Sequence, residues 1–325
     1  MNRRAFLLAG GAWLTYAGAP SFAQAPQSRR IVLVHPASQA ATSRYFDTFR
    51  VALKHLGYVE GSDISIEARW AEGRIERLDS LVAEAVALNP AVLVTGSSEG
   101  VKACMKATSA IPIVFATAAD IVEQGFVSSL RHPGGNVTGI VLHTGLNEKI
   151  VEIAREALPV ARRLAILVHD KDRYHNIVLK QFEPSARRFK FEPVIVHISR
   201  AEELDRVFDE LAQTKADALF VPNLALLLSL RQELVQRTRK ARLPLLAANP
   251  DFAEAGGLLA YGTLFEENWR RAATLVDKIL RGAKAGDLPV EQPEGFELVV
   301  NVKTARAIGV SLAPTTLSRA DKVIE

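Results

Sequence analysis

The sequence predicts an α/β fold of two Rossmann-like lobes, in which each lobe is a mostly parallel sheet flanked by helices. Short β-branched apolar runs alternate with helical patterns from residue 30 onward, and the alternation restarts after Pro133-Gly134-Gly135. The composition agrees, because 325 residues of which 48% are hydrophobic suit two modest cores better than one large core.

The first lobe is predicted over residues 29–140. Residues 30–35 (RIVLVH) are continuously apolar, which is typical of a strand buried on both faces of a parallel sheet. Phe46, Phe49 and Leu53 then fall on one face of a helix. Further strands are expected at residues 62–70, 91–95 and 111–117, and helices at residues 75–85, 98–108 and 121–130.

The second lobe is predicted over residues 141–262, where the same rhythm continues. Its strands are expected at residues 164–169, 193–198, 218–222 and 244–248, between helices at residues 174–189, 202–214 and 226–240. Residues 263–325 differ in character, because a helix with Trp269 and Val276 on one face is followed by a polar, proline-containing segment and a last strand at 296–301. We expect this tail to cross back between the lobes and to be shared by them.

An export signal is expected over residues 1–23. Arg3 and Arg4 precede a modestly apolar run and resemble a twin-arginine signal. Ser21 and Ala23 are small residues at the spacing that a signal peptidase reads, so we predict cleavage directly after Ala23 and a soluble periplasmic protein. The alternative is that this segment is retained as an amphipathic or anchoring N-terminus.

The charge and the cysteine content exclude several classes of partner and site. The formal net charge is +4 and falls to +2 without residues 1–23, a balance too small to favour nucleic acid or a strongly cationic membrane surface. Cys104 is the only cysteine, so neither an internal disulfide nor a cysteine-based metal cluster can form. We expect Cys104 to be a small apolar residue on a helix.

Residues 131–141 (RHPGGNVTGIV) allow three interpretations. A phosphate-binding loop is excluded, because here a helix precedes the glycines, an apolar strand follows them and no lysine is in reach. The triplet that begins at Asn136 matches a glycosylation acceptor, but a twin-arginine leader indicates a bacterial cell, where that triplet ordinarily has no meaning. We therefore predict a bend in which Gly134 and Gly135 supply positive φ, and we expect it to join the lobes.

No catalytic residue, metal site or cofactor is predicted. The sequence has no Gly-x-Ser-x-Gly elbow and no His-Glu-x-x-His motif, and its seven histidines are scattered. His35, His169 and His197 each end a predicted strand, which is where open α/β sheets bind ligands. A solvated or capping histidine is the alternative for each.

Candidate ligand-binding residues lie in the loops that follow the predicted strands. Hydroxyl groups and the amides of helix N-termini suit a carboxylate, since the helix dipole favours negative charge there, and Asp120 or Asp251 could hold an ammonium group. The alternative for each of these residues is helix capping. The predicted ligand-binding residues are Ser38, Ser97, Ser98, Thr117 and Asp120 in the first lobe and His169, Asn223, Asp251 and Tyr261 in the second.

Five long stretches carry a resemblance to a known family. They are residues 55–73 (HLGYVEGSDISIEARWAEG), 129–140 (SLRHPGGNVTGI), 252–262 (FAEAGGLLAYG), 270–309 and 319–325 (RADKVIE). They resemble ABC-transporter substrate-binding proteins, a family that includes tryptophan-binding receptors. The resemblance spans almost the whole mature chain and implies a type I periplasmic-binding-protein fold, in which two lobes close on a small ligand.

The chain departs from that family at two ligand loops. It has Gly96-Ser97-Ser98-Glu99 where the family commonly has a Gly-Thr-Pro-type turn, and Ala119-Asp120-Ile121 where the family often has Gly-Asp-Pro. The implied fold and transport role survive these changes, but the identity of the ligand does not follow from the resemblance.

These observations predict an exported receptor of an ABC importer. It is expected to be a monomer that captures an aromatic or other small carboxylate, or an amino acid, and presents the closed form to a membrane permease. No nucleic-acid partner is expected. Two alternatives stay open: a periplasmic ligand sensor for a signalling partner, and an exported hydrolase, which the absence of a nucleophile motif disfavours.

Overall fold

The computed structural model describes residues 28–142, 145–172 and 174–325, so the predicted export signal lies outside the described residues. The described strands form a five-stranded sheet and a seven-stranded sheet, and apolar clusters cover both faces of each. This architecture confirms the predicted α/β fold of two Rossmann-like lobes. None of the described helices is both long enough and apolar enough to span a membrane.

The first sheet is built from consecutive strand–helix units. Its elements are β1 (Arg29–His35), α1 (Gln39–His55), β2 (Ile64–Trp70), α2 (Leu78–Ala87), β3 (Val92–Thr95), α3 (Ser98–Ala107), β4 (Ile113–Ala118) and β5 (Val137–Val141). The strand order is β2-β1-β3-β4-β5, and every neighbouring pair is parallel. The carboxyl ends of these strands therefore meet at one edge of the sheet.

Strand β1 shows why its sequence is continuously apolar. Ile31 and Leu33 lie in the cluster on one face of the sheet, whereas Val32 and Val34 lie in the cluster on the other face. All four side chains are at most 1% exposed. A polar residue at any of these positions would lose water without gaining a partner.

The turn at Gly134 and Gly135 lies inside the first lobe, so the expectation that it joins the lobes is wrong. The bend itself is present, because the two glycines have φ of 70° and 62°. The strand that follows it, β5, pairs with β4, and the chain leaves this sheet only after β5. The Asn136 side chain donates to the carbonyl groups of Thr108 (3.3 Å) and Ile111 (2.7 Å) and fastens the turn to the rest of the lobe.

Residues 121–130 form turns instead of the predicted helix. Asp120 has a φ of 48°, and the Phe126 amide donates to the Ile121 carbonyl (2.8 Å), so the chain reverses at once. The apolar residues Ile121, Phe126 and Val127 are buried against the sheet. Their pattern therefore reflects burial of a compact turn and not a helical face.

The second sheet continues the strand–helix alternation and ends with strands from the tail. The first elements are α4 (Leu146–Ala157), β6 (Arg163–His169), α5 (Tyr174–Arg188), β7 (Glu192–Ile198), α6 (Leu204–Gln213), β8 (Ala218–Val221), α7 (Ala225–Ser229), α8 (Arg231–Lys240), β9 (Leu245–Ala247), α9 (Asp251–Glu254) and β10 (Leu259–Thr263). The tail adds α10 (Phe265–Leu280), β11 (Phe296–Asn301), α11 (Val302–Ile308), α12 (Pro314–Ser318) and β12 (Lys322–Ile324). The strand order is β12-β11-β10-β9-β8-β6-β7, with β10 and β11 antiparallel and the other pairs parallel.

The tail contributes to both lobes. Helix α10 returns to the first sheet, where it packs on α1, β4 and β5 and buries Trp269 and Val276 in the same cluster as Ile31. The chain then runs beside β5, where the Glu291 amide donates to the Gly139 carbonyl (2.9 Å), before β11 joins the second sheet. Several segments therefore connect the lobes, as a hinge requires.

Candidate ligand-binding cleft

A cleft lies between the lobes, where the carboxyl ends of the two sheets face each other. The loops after β1, β3 and β4 line it from the first lobe, and the loops after β6, β8 and β9 line it from the second. The space between its atoms is about 680 Å³, with the solvent at its mouth included. This is the position in which open α/β sheets bind small molecules, and the volume is in the range of such sites.

One wall of the cleft is aromatic. Trp269 on α10 is 1% exposed, and its ring centroid lies 4.9 Å from that of Phe46 and 6.2 Å from that of Phe49. Phe46 in turn stacks on Trp70 at 5.3 Å. Phe265, one helical turn before Trp269, lines the cleft beside it. Because neighbouring rings hold each other in place, this wall is a rigid apolar surface.

His35 joins the aromatic wall to the loop after β3. Its Nδ1 accepts a hydrogen bond from the Ala37 amide (3.0 Å), its ring hydrogen-bonds the backbone of Gly96, and burial lowers its pKa to about 3. The imidazole is therefore neutral. A Cβ at Gly96 would lie 2.7 Å from both His35 and Trp269, so glycine is needed for this close approach.

The hydroxyl groups of the first lobe shape the loops around the start of α3. Ser97 is the N-cap and accepts from the Gly100 amide (2.9 Å), Ser98 accepts from the Ala119 amide (3.0 Å), and Thr117 donates to the Gly96 carbonyl (2.8 Å). These bonds fix the N-terminus of α3 against the cleft. The positive end of the helix dipole then favours an anionic group of a ligand there.

A buried carboxylate faces the cleft from the second lobe. Asp172 is 7% exposed, and its Oδ1 accepts from the Tyr174 amide (3.0 Å). Burial raises the pKa of Asp172 to about 7, and the charge of Glu99 across the cleft acts in the same direction. A cationic group of a ligand would stabilise the ionised form of Asp172, because it would replace the water that burial removes from the carboxylate.

Polar side chains connect the lobes on the other side of the cleft. The Asn249 Nδ2 donates to the Oδ1 of Asn223 (3.2 Å) and to the hydroxyl oxygen of Tyr45 (3.3 Å). All three residues line the cleft, and Tyr45 comes from α1 of the first lobe. A ligand in the cleft would touch a hydrogen-bonded chain that crosses between the lobes.

Four of the nine predicted ligand-binding residues line the cleft: Ser97, Ser98, Thr117 and Asn223. Asp120 lies in an adjoining pocket of the first lobe, where its Oδ2 is buried and the pKa of its carboxyl group is raised by burial and by Glu123.

The other four predicted residues have structural partners outside the cleft lining. Ser38 is the N-cap of α1 and accepts from the Ala41 amide (3.3 Å), which is the capping alternative. His169 is 1% exposed and hydrogen-bonds the backbone of Ser199. Tyr261 stacks on Phe296 at 6.1 Å, and Asp251 lies in an ionic cluster between the lobes.

Most of the aromatic and acidic residues of the cleft were not predicted from the sequence. His35 ends β1 and Asn249 follows β9, so both carried the same strand-end signal as the predicted ligand-binding residues. Trp269 carried only a helical periodicity that predicts burial, and Tyr45 was not among the apolar residues of the predicted α1 face. Asp172 lies three residues beyond the predicted strand end at His169. Nothing local distinguishes Asp172 from a solvated aspartate.

The described residues show no grouping of three His, Cys, Asp or Glu side chains that could hold a metal ion. Cys104 is buried on α3, and burial raises the pKa of its thiol to about 12, so the thiol is a packing group as expected.

A family model described as ABC transporter substrate binding protein matches residues 30–324. The chain belongs to this family. Its relatives include a tyrosine-binding protein of Clostridioides difficile, 26% identical over 260 residues that cover 80% of this chain and 75% of the relative. Its structural neighbours include type I periplasmic binding proteins.

Two solved structures resemble this substrate-binding protein over 91% of the chain. One is an ABC domain in complex with L-Trp from Streptococcus pneumonia, 20% identical, with a TM-score of 0.84 and all of that chain covered. The other is the ligand-free, open structure of a substrate-binding protein with adhesive properties from Clostridium difficile, 22% identical, with a TM-score of 0.64 and 99% of that chain covered. Both likenesses are to the fold.

Proposed function

We propose that this substrate-binding protein is the exported receptor of an ABC importer and that its ligand is an aromatic amino acid. One observation carries the proposal: the cleft combines a rigid aromatic wall, the N-terminus of a ten-residue helix and a buried carboxylate. An aromatic amino acid carries the three complementary groups, namely a ring, a carboxylate and an ammonium.

Each part of the ligand has a partner of suitable chemistry. The α-carboxylate is assigned to the N-terminus of α3, where Ser97 and Ser98 already hold the loop in place. The ammonium is assigned to Asp172, and the ring to the wall formed by Phe265 and Trp269. The class of ligand is supported by two similar proteins, since a relative is named for binding tyrosine and a structural neighbour was solved with L-Trp.

The arrangement of the lobes is that of a closed receptor. The Ser38 amide donates across the lobes to the Ser229 hydroxyl (2.8 Å), and Lys171 lies 3.7 Å from Glu76. The better superposition on the L-Trp complex than on the open structure agrees with closure. Ligand entry then requires the lobes to separate, and the closed form is the state that a permease distinguishes from the empty receptor.

The experiment is calorimetric titration and thermal unfolding of the mature protein with L-tryptophan, L-tyrosine and L-phenylalanine, with L-leucine and arabinose as comparison compounds. A true ligand at 100 times its dissociation constant adds about 2.7 kcal/mol of stability. We expect Asp172→Asn to weaken binding of the amino acid at least tenfold. Asp277→Asn is the matched control, because Asp277 is another buried aspartate, accepts from Tyr58 and Arg281, and is not among the residues that line the cleft. Failure of all three aromatic amino acids to bind would refute the proposal.

A further inference from the structure

Asp251 is buried at the interface between the lobes and is surrounded by donors. It is 2% exposed, and its Oδ2 accepts from Arg231 (2.7 Å) and from the hydroxyl group of Tyr45 (2.7 Å). Its Oδ1 pairs with Arg44. Arg231 belongs to the second lobe, as does Asp251, whereas Arg44 and Tyr45 are consecutive residues of α1 in the first lobe.

Arg44 extends the same interface at its exposed rim. Its guanidinium group also bonds Glu254 (2.8 Å) on α9 and lies 3.3 Å from Glu266 on α10. Glu254 is held in place by Lys322 (2.8 Å). Arg44 of the first lobe therefore pairs at once with two carboxylates of the second lobe, Asp251 and Glu254. Arg44 stays 40% exposed, so it can be hydrated when the lobes separate.

The cluster is connected to the cleft through two side chains. The Tyr45 hydroxyl donates to Asp251 and accepts from Asn249, and the Asn249 Oδ1 accepts from the Asp251 amide (2.9 Å). Tyr45 and Asn249 both line the cleft. A ligand that orders these two side chains therefore also orders the partners of Asp251.

Opening of the lobes would separate Asp251 from two of its three donors. Arg44 and Tyr45 leave with the first lobe, and only Arg231 stays with the carboxylate. A carboxylate that loses donors must be hydrated, so the open form requires water to enter this interface. The bonds of Arg44 and Tyr45 to Asp251 exist only when the lobes are together.

We propose that Arg44, Tyr45 and Asp251 form a closure latch, meaning a set of bonds between the lobes that stabilises the closed receptor over the open one. The latch thereby raises the affinity for the ligand, although Asp251 itself does not contact the ligand. Asp251 is a positioning residue in this assignment, in place of the ammonium-binding role that the sequence suggested. The ligand part of the inference rests on the proposed function, but the latch itself does not.

The test uses the mature protein and three variants, Arg44→Gln, Tyr45→Phe and Asp251→Asn. Asp277→Asn is the matched control, because Asp277 is a buried aspartate that accepts from Tyr58 (2.8 Å) and Arg281 (2.7 Å) within the first lobe. Small-angle X-ray scattering without ligand gives the radius of gyration, and titration with L-tryptophan and L-tyrosine gives the affinity and the dissociation rate.

The latch predicts a larger radius of gyration for Arg44→Gln and Asp251→Asn than for wild type without ligand, and no change for Asp277→Asn. It also predicts a tenfold or greater loss of affinity that comes mainly from faster dissociation. Unchanged scattering in Arg44→Gln would overturn the latch, and so would an affinity loss without a change in scattering. If neither amino acid binds, the proposed function fails while the scattering still decides the latch. If Asp251→Asn does not fold, Arg44→Gln still tests the latch, because the Arg44 side chain is partly exposed and its replacement leaves no buried group without a partner in the core.

Discussion

The replacement Asp172→Asn has a stability effect that depends on pH. Burial raises the pKa of Asp172 from 3.8 in the unfolded chain to about 7 in the folded protein. The folded protein therefore binds this proton more tightly than the unfolded chain does. The stabilisation from this proton is complete below the unfolded pKa and is lost as the pH rises through 7.

The size of the effect follows from the two pKa values. Between pH 5 and pH 8 the ionisation of Asp172 removes about 2.5 kcal/mol of folding stability. An asparagine at position 172 keeps the shape of the side chain and has no proton to lose. We therefore expect Asp172→Asn to gain about 2.5 kcal/mol relative to wild type over that pH interval.

The assay is urea unfolding of both proteins without ligand at pH 5, 6, 7 and 8. The quantity of interest is the difference in unfolding free energy between Asp172→Asn and wild type, because the other titrating groups contribute equally to both proteins. If this difference changes by less than about 1 kcal/mol between pH 5 and pH 8, the conclusion that burial raises the pKa of Asp172 to about 7 is refuted.

Three further predictions concern the cleft and the core. Affinity for L-tryptophan should rise with pH from 5 to 8 and level off above 8, because an ammonium ligand requires ionised Asp172. Calorimetry over this range checks the prediction, and a flat profile would contradict the assignment. Gly96→Ala should lower the free energy of unfolding by about 1–3 kcal/mol in urea, because its Cβ would lie 2.7 Å from His35 and Trp269. An unchanged free energy of unfolding would show that these two side chains can move to make room. Phe182→Ala removes a fully buried side chain of the second lobe and should cost about 3–5 kcal/mol in the same assay while the affinity for L-tryptophan stays unchanged; a matching loss of affinity would mean that this core governs the cleft.

The fold could be predicted because its signals are local and repeated. The continuous apolar run of β1 indicates a strand that is buried on both faces of a sheet. The spacing of Phe46 and Phe49 in α1 indicates a helix that is buried on one side. Positive φ at Gly134 and Gly135 was also predictable. The position of that bend in the fold was not, because which sheet β5 joins depends on its pairing with β4 and not on its own residues.

The candidate site was predicted only where its residues shape loops. Ser97 and Ser98 were predicted because they follow β3 at the carboxyl edge of the sheet. The structure gives each of them a bond that shapes a loop, since Ser97 caps α3 at the Gly100 amide and Ser98 accepts from the Ala119 amide. The aromatic wall was missed because α10 belongs to the tail and reaches the first lobe only through tertiary packing. A tryptophan on a helical face gives the same sequence signal whether it fills a core or borders a cleft.

Asp172 and Asp251 show which properties follow from the local sequence and which depend on the tertiary structure. The sequence by itself determined the alternating elements, the strand ends and the presence of acids in the loops beyond them. Only the tertiary structure separates Asp172, which is buried with few donors beside the cleft, from Asp251, whose partners Arg44 and Tyr45 lie more than 200 positions away in the chain. The physical reason is that the behaviour of a carboxylate depends on its solvation and its neighbours, and both are set by packing between segments that are distant in sequence.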